Sequence, residues 1–260
     1  MAAASVLTVA LVAGEVRRGA APSVVADAPT TEAATGAPAD LAADRPKRRP
    51  AGLASPHQDD TVAPFDLSAR STTDPASPWV VVNKQRPLDP LDFRPATTTV
   101  EGLEVAEVAA GPLADMLAAA RAEGAPLGLT SAYRSFDHQS RIHADLVDDH
   151  GRAEAERLSA RPGHSEHQTG LAVDVVDPGR RSCDLSACFA ETPGGRWVAA
   201  EAWRFGFLVR YPAGAEAVTG YAPEPWHLRY VGTELAAELR RTGTATLEEL
   251  FAVPGGGYPD

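Results

Sequence analysis

A chain of 260 residues with 24 Lys and Arg against 35 Asp and Glu carries a formal net charge of −11. That balance excludes a phosphate-tracking nucleic-acid binder for the domain as a whole, because such a protein presents a basic face to its polyanion. The length allows one sizeable core together with an unstructured arm.

The arm is expected at the N-terminus. Residues 2–14 form an apolar run rich in Ala, Val and Leu, shorter than the roughly 20 residues a bilayer span requires. Residues 1–19 are read as a signal peptide or the remnant of a membrane anchor, although Arg17 and Arg18 follow the apolar run instead of preceding it. Residues 20–75 are dominated by Ala, Pro, Thr, Asp and Arg with few aromatics and no sustained period. Such a stretch cannot bury enough apolar surface to offset its ordering entropy, and a disordered linker is expected. Its basic run Arg45-Pro46-Lys47-Arg48-Arg49-Pro50 reads as solvated linker, with contact to a polyanion as the alternative.

The folded domain is expected over residues 76–245. Trp79-Val80-Val81-Val82-Asn83-Lys84 is β-branched and reads as an entering strand. Leu113, Met116, Leu117 and Ala120 then recur at helical spacing over residues 112–123, with Pro112 suited to the first turn and Gly124 to the stop. Residues 127–132 alternate as a strand does, and Ser135 is placed to cap a helix over 136–150. Gly151 separates that helix from a second helical piece over 152–160. In a strand over 171–176 the period of two puts Ala172, Asp174 and Val176 on one face and Leu171, Val173 and Val175 on the other. Cys183 and Cys188 follow in a polar loop. In an exported chain they read as a small structural disulfide; the alternative metal role is weaker, because two thiolates make an incomplete zinc set. An amphipathic helix over 197–205, strands over 207–211 and 226–230, and a helix over 233–241 close the domain. Residues 246–260 are expected to form a tail, frayed at Gly255-Gly256-Gly257. Helices mixed with short, hairpin-like strands predict an α+β fold, a small antiparallel sheet flanked by helices.

The chemistry concentrates between residues 159 and 174, where Ser165, His167, Gly170, Ala172 and Asp174 form Ser-x-His-x-x-Gly-x-Ala-x-Asp. Catalytic zinc takes three protein ligands from His, Asp, Glu or Cys and leaves a fourth position for water. His167 and Asp174 supply two. Glu224-Pro225-Trp226-His227 offers His227 as the third ligand and Glu224 as a base; Pro225 biases Glu224 to an extended conformation, so a turn or strand edge presents the pair. In that scheme zinc lowers the pKa of its water toward roughly 7, and Glu224 takes the proton and passes it to the leaving amine. Arg134, at the end of a strand, offers a planar fork for a carboxylate or developing oxyanion. Ser165 and Gln139 are candidates for hydrogen bonds to substrate. His164 is a candidate to contact substrate or support a ligand. His57, His138, His143 and His150 lack such context and read as ordinary surface or structural histidines.

These motifs resemble the D-alanyl-D-alanine carboxypeptidases of the VanY type, within the wider group of LAS zinc peptidases. Val82-Asn83-Lys84, Ser131-Ala132-Tyr133-Arg134-Ser135, Arg204-Phe205-Gly206-Phe207, Arg210-Tyr211-Pro212 and Thr219-Gly220-Tyr221 share the likeness, which runs from about residue 80 to 240. The resemblance implies zinc on His167, Asp174 and His227, Glu224 as base, Arg134 at the scissile carbonyl oxygen and Ser165 against substrate. It implies a LAS/hedgehog-like domain, extracytoplasmic and secreted or membrane-anchored. Its substrate would be the peptidoglycan stem peptide ending in D-Ala-D-Ala, and a monomer is the expectation. Leu91-Asp92-Phe93, where relatives often carry a tyrosine, and the cysteine loop depart from the pattern. Two alternatives stand beside this: an endopeptidase cutting within the stem or its cross-link, and a non-catalytic wall-binding module of hedgehog type. Glu224 and Arg134 count against the second, since a module without catalysis needs neither.

Overall fold

The computed structural model describes residues 64–259, so the expected signal or anchor segment over 1–19 and most of the linker over 20–75 lie outside the described residues. A β-hairpin of β1 (Thr97–Val100) and β2 (Leu103–Ala106) leads into α1 (Glu107–Ala122). Then follow β3 (Gly128–Ser131), α2 (Phe136–His150), α3 (Arg152–Leu158), β4 (Ala172–Val176), α4 (Pro193–Glu201) and β5 (Phe207–Tyr211). The short α5 (Glu216–Thr219), β6 (Glu224–Tyr230), α6 (Thr233–Thr242) and α7 (Leu247–Phe251) complete the chain. β3, β4, β6 and β5 form one four-stranded sheet in that order, antiparallel throughout. The α+β architecture with small antiparallel sheets is the expected one.

Period two in β4 sends Val173 and Val175, with Leu171 just before them, into the main core. There they meet Leu113, Met116, Leu117 and Ala120 of α1, Trp197 and Val198 of α4, and Phe207 and Leu228 of the neighbouring strands. Ala172, Asp174 and Val176 are buried on the opposite face. A second cluster joins Trp79, Val81, Val231, Leu235, Leu239 and Leu247.

Several boundaries differ from the expectation. α1 begins at Glu107 and not at residue 112, so Pro112 lies inside the helix. The proline N–H is missing opposite Val108, which is 49% exposed, where water can serve the freed carbonyl. α4 begins at Pro193, behind an N-cap in which Thr192 Oγ1 accepts from the Gly195 N–H at 2.9 Å, and a 3₁₀ turn over Ala202–Phe205 continues it. Ser135 caps α2 as expected, accepting from the His138 N–H.

Trp79 to Lys84 is not a strand; its one ladder contact is a bridge between Asn83 and Arg86. The alternation is real, since Val80 and Val82 enter the main core while Trp79 and Val81 enter the second. Arginines replace a partner strand: Arg229 donates to the Pro78 and Val80 carbonyls, and Arg86 to that of Val81.

The tail expectation is also corrected. Leu247 is fully buried, Glu248 is ion-paired inside the protein, and the Gly256 N–H donates to the Val218 carbonyl at 2.7 Å. A Cβ at Gly255 would lie 2.1 Å from that same oxygen, so the close approach requires glycine. At the other end, packing begins before residue 76: Phe65 stacks against Trp79, and the Val81 N–H donates to Thr72 O.

Candidate metal centre and active-site cleft

Sheet register brings the central side chains together. Asp174 of β4 stands directly opposite His227 of β6 on one side and Ser131 of β3 on the other. Glu224 is the first residue of β6, an interior strand, and its backbone is extended as Pro225 predicts, although it pairs with Tyr211 of β5 instead of lying on an edge. His167 comes from a 3₁₀ turn over Glu166–Thr169 that ends at Gly170 with φ of 67°. A Cβ on Gly170 would sit 2.8 Å from the Ala106 backbone nitrogen, so turn geometry and crowding both demand glycine there.

One donor atom each from His167, Asp174 and His227 lies within 4.8 Å of the others, and all three residues are buried. His167 Nε2 is 3.3 Å from Asp174 Oδ2, and His227 Nδ1 is 3.3 Å from Asp174 Oδ1. His167 Nδ1 lies 2.7 Å from the Ala132 carbonyl; it must carry the proton and donate, which leaves Nε2 as the lone pair facing Asp174. In His227 the roles reverse: Nε2 faces Glu166 Oε2 at 3.5 Å, and Nδ1 faces Asp174 and, at 3.5 Å, Glu224 Oε2. These 3.3–3.5 Å contacts are longer than good hydrogen bonds. Asp174 Oδ1 in fact has no hydrogen-bond partner among the described residues.

The charges indicate what belongs between these atoms. Burial pushes the Asp174 carboxyl up, but His167 and His227 outweigh it and hold it well below the usual carboxylate range. Burial depresses His227, yet Asp174, Glu166 and Glu224 raise it to about 9. A ring among three carboxylates calls for positive charge. Two nitrogen lone pairs and an orphaned carboxylate oxygen converging in a buried pocket are a donor set suited to zinc. Burial also pushes Glu224 up, to about 7, near the value at which a base exchanges protons at neutral pH.

A cleft of about 370 Å³ opens over this centre, lined by Arg134, Ser165, Tyr211, Tyr221, Glu224 and Trp226. A larger apolar groove of about 670 Å³, walled by Trp203, Leu208 and Leu239, shares Tyr211 and Pro223 with it but holds none of the converging donors; the chemistry belongs to the smaller cleft. Leu158 and Leu185, about half exposed, edge its mouth. Leu185 lies between Cys183 and Cys188, which form the expected disulfide.

Arg134 faces the cleft with its guanidinium fixed from behind, donating to Gln139 Oε1 at 2.8 Å and Ser131 Oγ at 3.2 Å. Gln139 stands behind Arg134 and does not line the cleft. It is fully buried, and its amide also donates to Ser159 Oγ and Ala160 O. Helix α2 turns it inward, toward the Arg134 fork. His164 likewise stays out of the cleft lining, with Nδ1 2.9 Å from the Asn83 carbonyl and its ring edge-on to Tyr258.

Sequence reasoning missed Glu166, which backs His227 from a fully buried position and pairs with Arg210 and Arg229. It also missed Tyr211, whose ring lies 4.8 Å from that of His227, and Tyr221, stacked on Tyr211 at 4.7 Å. A signal existed: Arg210 follows the apolar Phe207-Leu208-Val209 in β5 and Arg229 sits between Leu228 and Tyr230 in β6, and a buried arginine needs a carboxylate.

A buried two-histidine, one-aspartate cluster beside a cleft glutamate, on a small antiparallel sheet, defines the class as a metal-dependent hydrolase. Comparison with known proteins narrows it. Residues 102–233 match the family model described as VanY, D-alanyl-D-alanine carboxypeptidase. YodJ of Bacillus subtilis is 38% identical over 188 residues, 68% of either chain. Among solved structures, the LdcB LD-carboxypeptidase is 36% identical with a TM-score of 0.63, covering 70% of this chain and 89% of LdcB. A mutant of the vancomycin-resistance D,D-pentapeptidase VanY in complex with Zn(II) is 33% identical with a TM-score of 0.59, covering 68% of this chain and 99% of that one. The chain belongs to the VanY D-alanyl-D-alanine carboxypeptidase family. It is a peptidase.

Proposed function

We propose that the protein removes the terminal D-alanine from peptidoglycan stem peptides ending in D-Ala-D-Ala, with zinc held by His167, Asp174 and His227 and Glu224 as base. The observation that carries this reading is Glu224: it stands 3.5 Å from His227 Nδ1, beside the converging donors and open to the cleft. Zinc there supplies Lewis acidity at the scissile carbonyl and lowers the pKa of water. Glu224 accepts the proton of the attacking water and returns it to the amine of the departing D-alanine as the C–N bond breaks. The Arg134 fork, preset by Gln139 and Ser131, donates to the carbonyl oxygen as negative charge grows on it. Ser165, at the cleft wall, hydrogen-bonds the peptide backbone.

Such a substrate sets the site of action outside the cytoplasm. None of the described helices is long and apolar enough to cross a membrane; residues 1–19 are the segment proposed for export or anchoring. The likeness to LdcB favours a second reading, cleavage at an L,D and not a D,D junction of the same stem. Mass spectrometry of defined muropeptides incubated with the protein tests both. Loss of one alanine from a peptide ending in D-Ala-D-Ala supports the first, and activity confined to an L,D junction supports the second. Two peptide fragments would mean an endopeptidase; an unaltered substrate would mean a binding module.

A further inference from the structure

Glu248 lies in α7, outside the span of the family model, and does not line the cleft. We infer that it is a positioning residue for the metal centre, holding the His227 ring in its ligand orientation through Arg210 and Glu166. The inference rests on the reading of His227 as a zinc ligand.

The chain of contacts is continuous and closed to solvent. Glu248 accepts both arms of the Arg210 fork, Nη1 to Oε2 at 2.9 Å and Nη2 to Oε1 at 2.6 Å. With its fork so occupied, Arg210 turns only Nε to Glu166, donating to Oε1 at 2.9 Å. Arg229 donates to that same oxygen at 2.6 Å, while its other nitrogens serve the Pro78, Val80 and Tyr230 carbonyls. Both arginines therefore load one oxygen of Glu166. The other, Oε2, has no hydrogen bond and faces His227 Nε2 at 3.5 Å. Asn83 fixes Glu248 in turn, donating to Oε1 at 2.9 Å. Two arginines and two glutamates, each no more than 2% exposed, form a neutral set.

Without the Glu248 charge this division fails. A fully buried guanidinium cannot leave two N–H groups and a net charge unpaired. Glu166 is the remaining carboxylate of the set, and a fork matches both oxygens of a carboxylate at once. Arg210 would take Oε2 as well as Oε1 and withdraw it from the imidazole. His227 then loses the partner that sets its tautomer, its ring angle and its basicity toward a metal.

The test compares zinc affinity, measured by competition with a chromophoric chelator, in the full-length protein. Glu248→Gln should weaken zinc binding by about 10- to 100-fold, the usual effect of losing an outer partner of a ligating histidine. Leu247→Ala, the fully buried neighbour on the same helix, should lower the melting temperature yet leave zinc affinity unchanged. Wild-type zinc affinity in E248Q would overturn the inference, as would equal weakening in L247A, which would make α7 a mere prop. If E248Q does not fold, Glu248→Asp keeps the charge on a shorter arm and should bind zinc more weakly than wild type; unaltered affinity there would also overturn it. A wild-type protein that binds no zinc would refute the metal reading itself, a different result from either.

Discussion

Replacing Glu224 with glutamine keeps the side chain's shape and removes its charge and its basicity, and the two losses act in opposite directions. In the metal-free protein burial raises this carboxyl from 4.5 to about 7. A carboxyl whose pKa is higher folded than unfolded adds no cost below pH 4.5; its relative stabilisation is lost as pH rises through 7. Holding it ionised at pH 8 costs about 3 kcal/mol at 1.36 kcal/mol per pKa unit. Glutamine removes that cost. At 2–4 °C per kcal/mol for a domain of this size, metal-free E224Q should melt about 6–12 °C above wild type at pH 8 and level with it near pH 4. Catalysis moves the other way. Loss of a general base should lower D-alanine release by about 10²–10⁴-fold, roughly 3–5 kcal/mol of barrier, with zinc content unchanged because Glu224 is not a ligand. Thermal melts of chelator-treated protein at both pH values, a D-amino-acid-oxidase-coupled assay and elemental analysis read the three outcomes. Wild-type turnover in E224Q, or a metal-free melt below wild type at pH 8, would refute the reasoning.

His227→Ala should abolish stoichiometric zinc; a full equivalent by elemental analysis would count against the ligand set. Gln139→Ala removes the acceptor at 2.8 Å from Arg134 Nη1 and should lower kcat about tenfold, from a charged hydrogen bond worth about 1.5 kcal/mol. Zinc content should stay normal, and a rise in KM alone would instead favour a direct contact of Gln139 with substrate. Replacing both cysteines with serine frees the loop that holds Leu185 at the cleft mouth. KM for a stem peptide should rise about threefold with kcat unchanged, on the scale of a kcal/mol or less for one half-exposed apolar contact; steady-state kinetics decide it.

How much of this was legible in the sequence depended on the range of the interactions. The spacing of Ser165, His167, Gly170 and Asp174, and of Glu224 and His227, pointed to the proposed donors and base, because a metal's demand for nitrogen and carboxylate ligands is chemical and local. Pro225 announced the extended conformation of Glu224, and Ser135 the cap of α2. Tertiary structure decided the rest. Alternation in Trp79 to Lys84 reads as a strand, yet the Val80 carbonyl is satisfied by the side chain of Arg229 from a distant segment and the Val81 carbonyl by that of nearby Arg86, where a strand would have a neighbouring backbone. Gln139 looked available to substrate until α2 turned its amide to the back of Arg134. The glycine-rich tail looked frayed, but Gly255 and Gly256 are there for close backbone approach to Val218. The motif of residues 165–174 offers two of the proposed ligands by itself. The sheet register that sets Asp174 against His227, and the buried charges that leave one oxygen of Glu166 to His227, depend on residues up to about eighty positions away and exist only once the chain has folded.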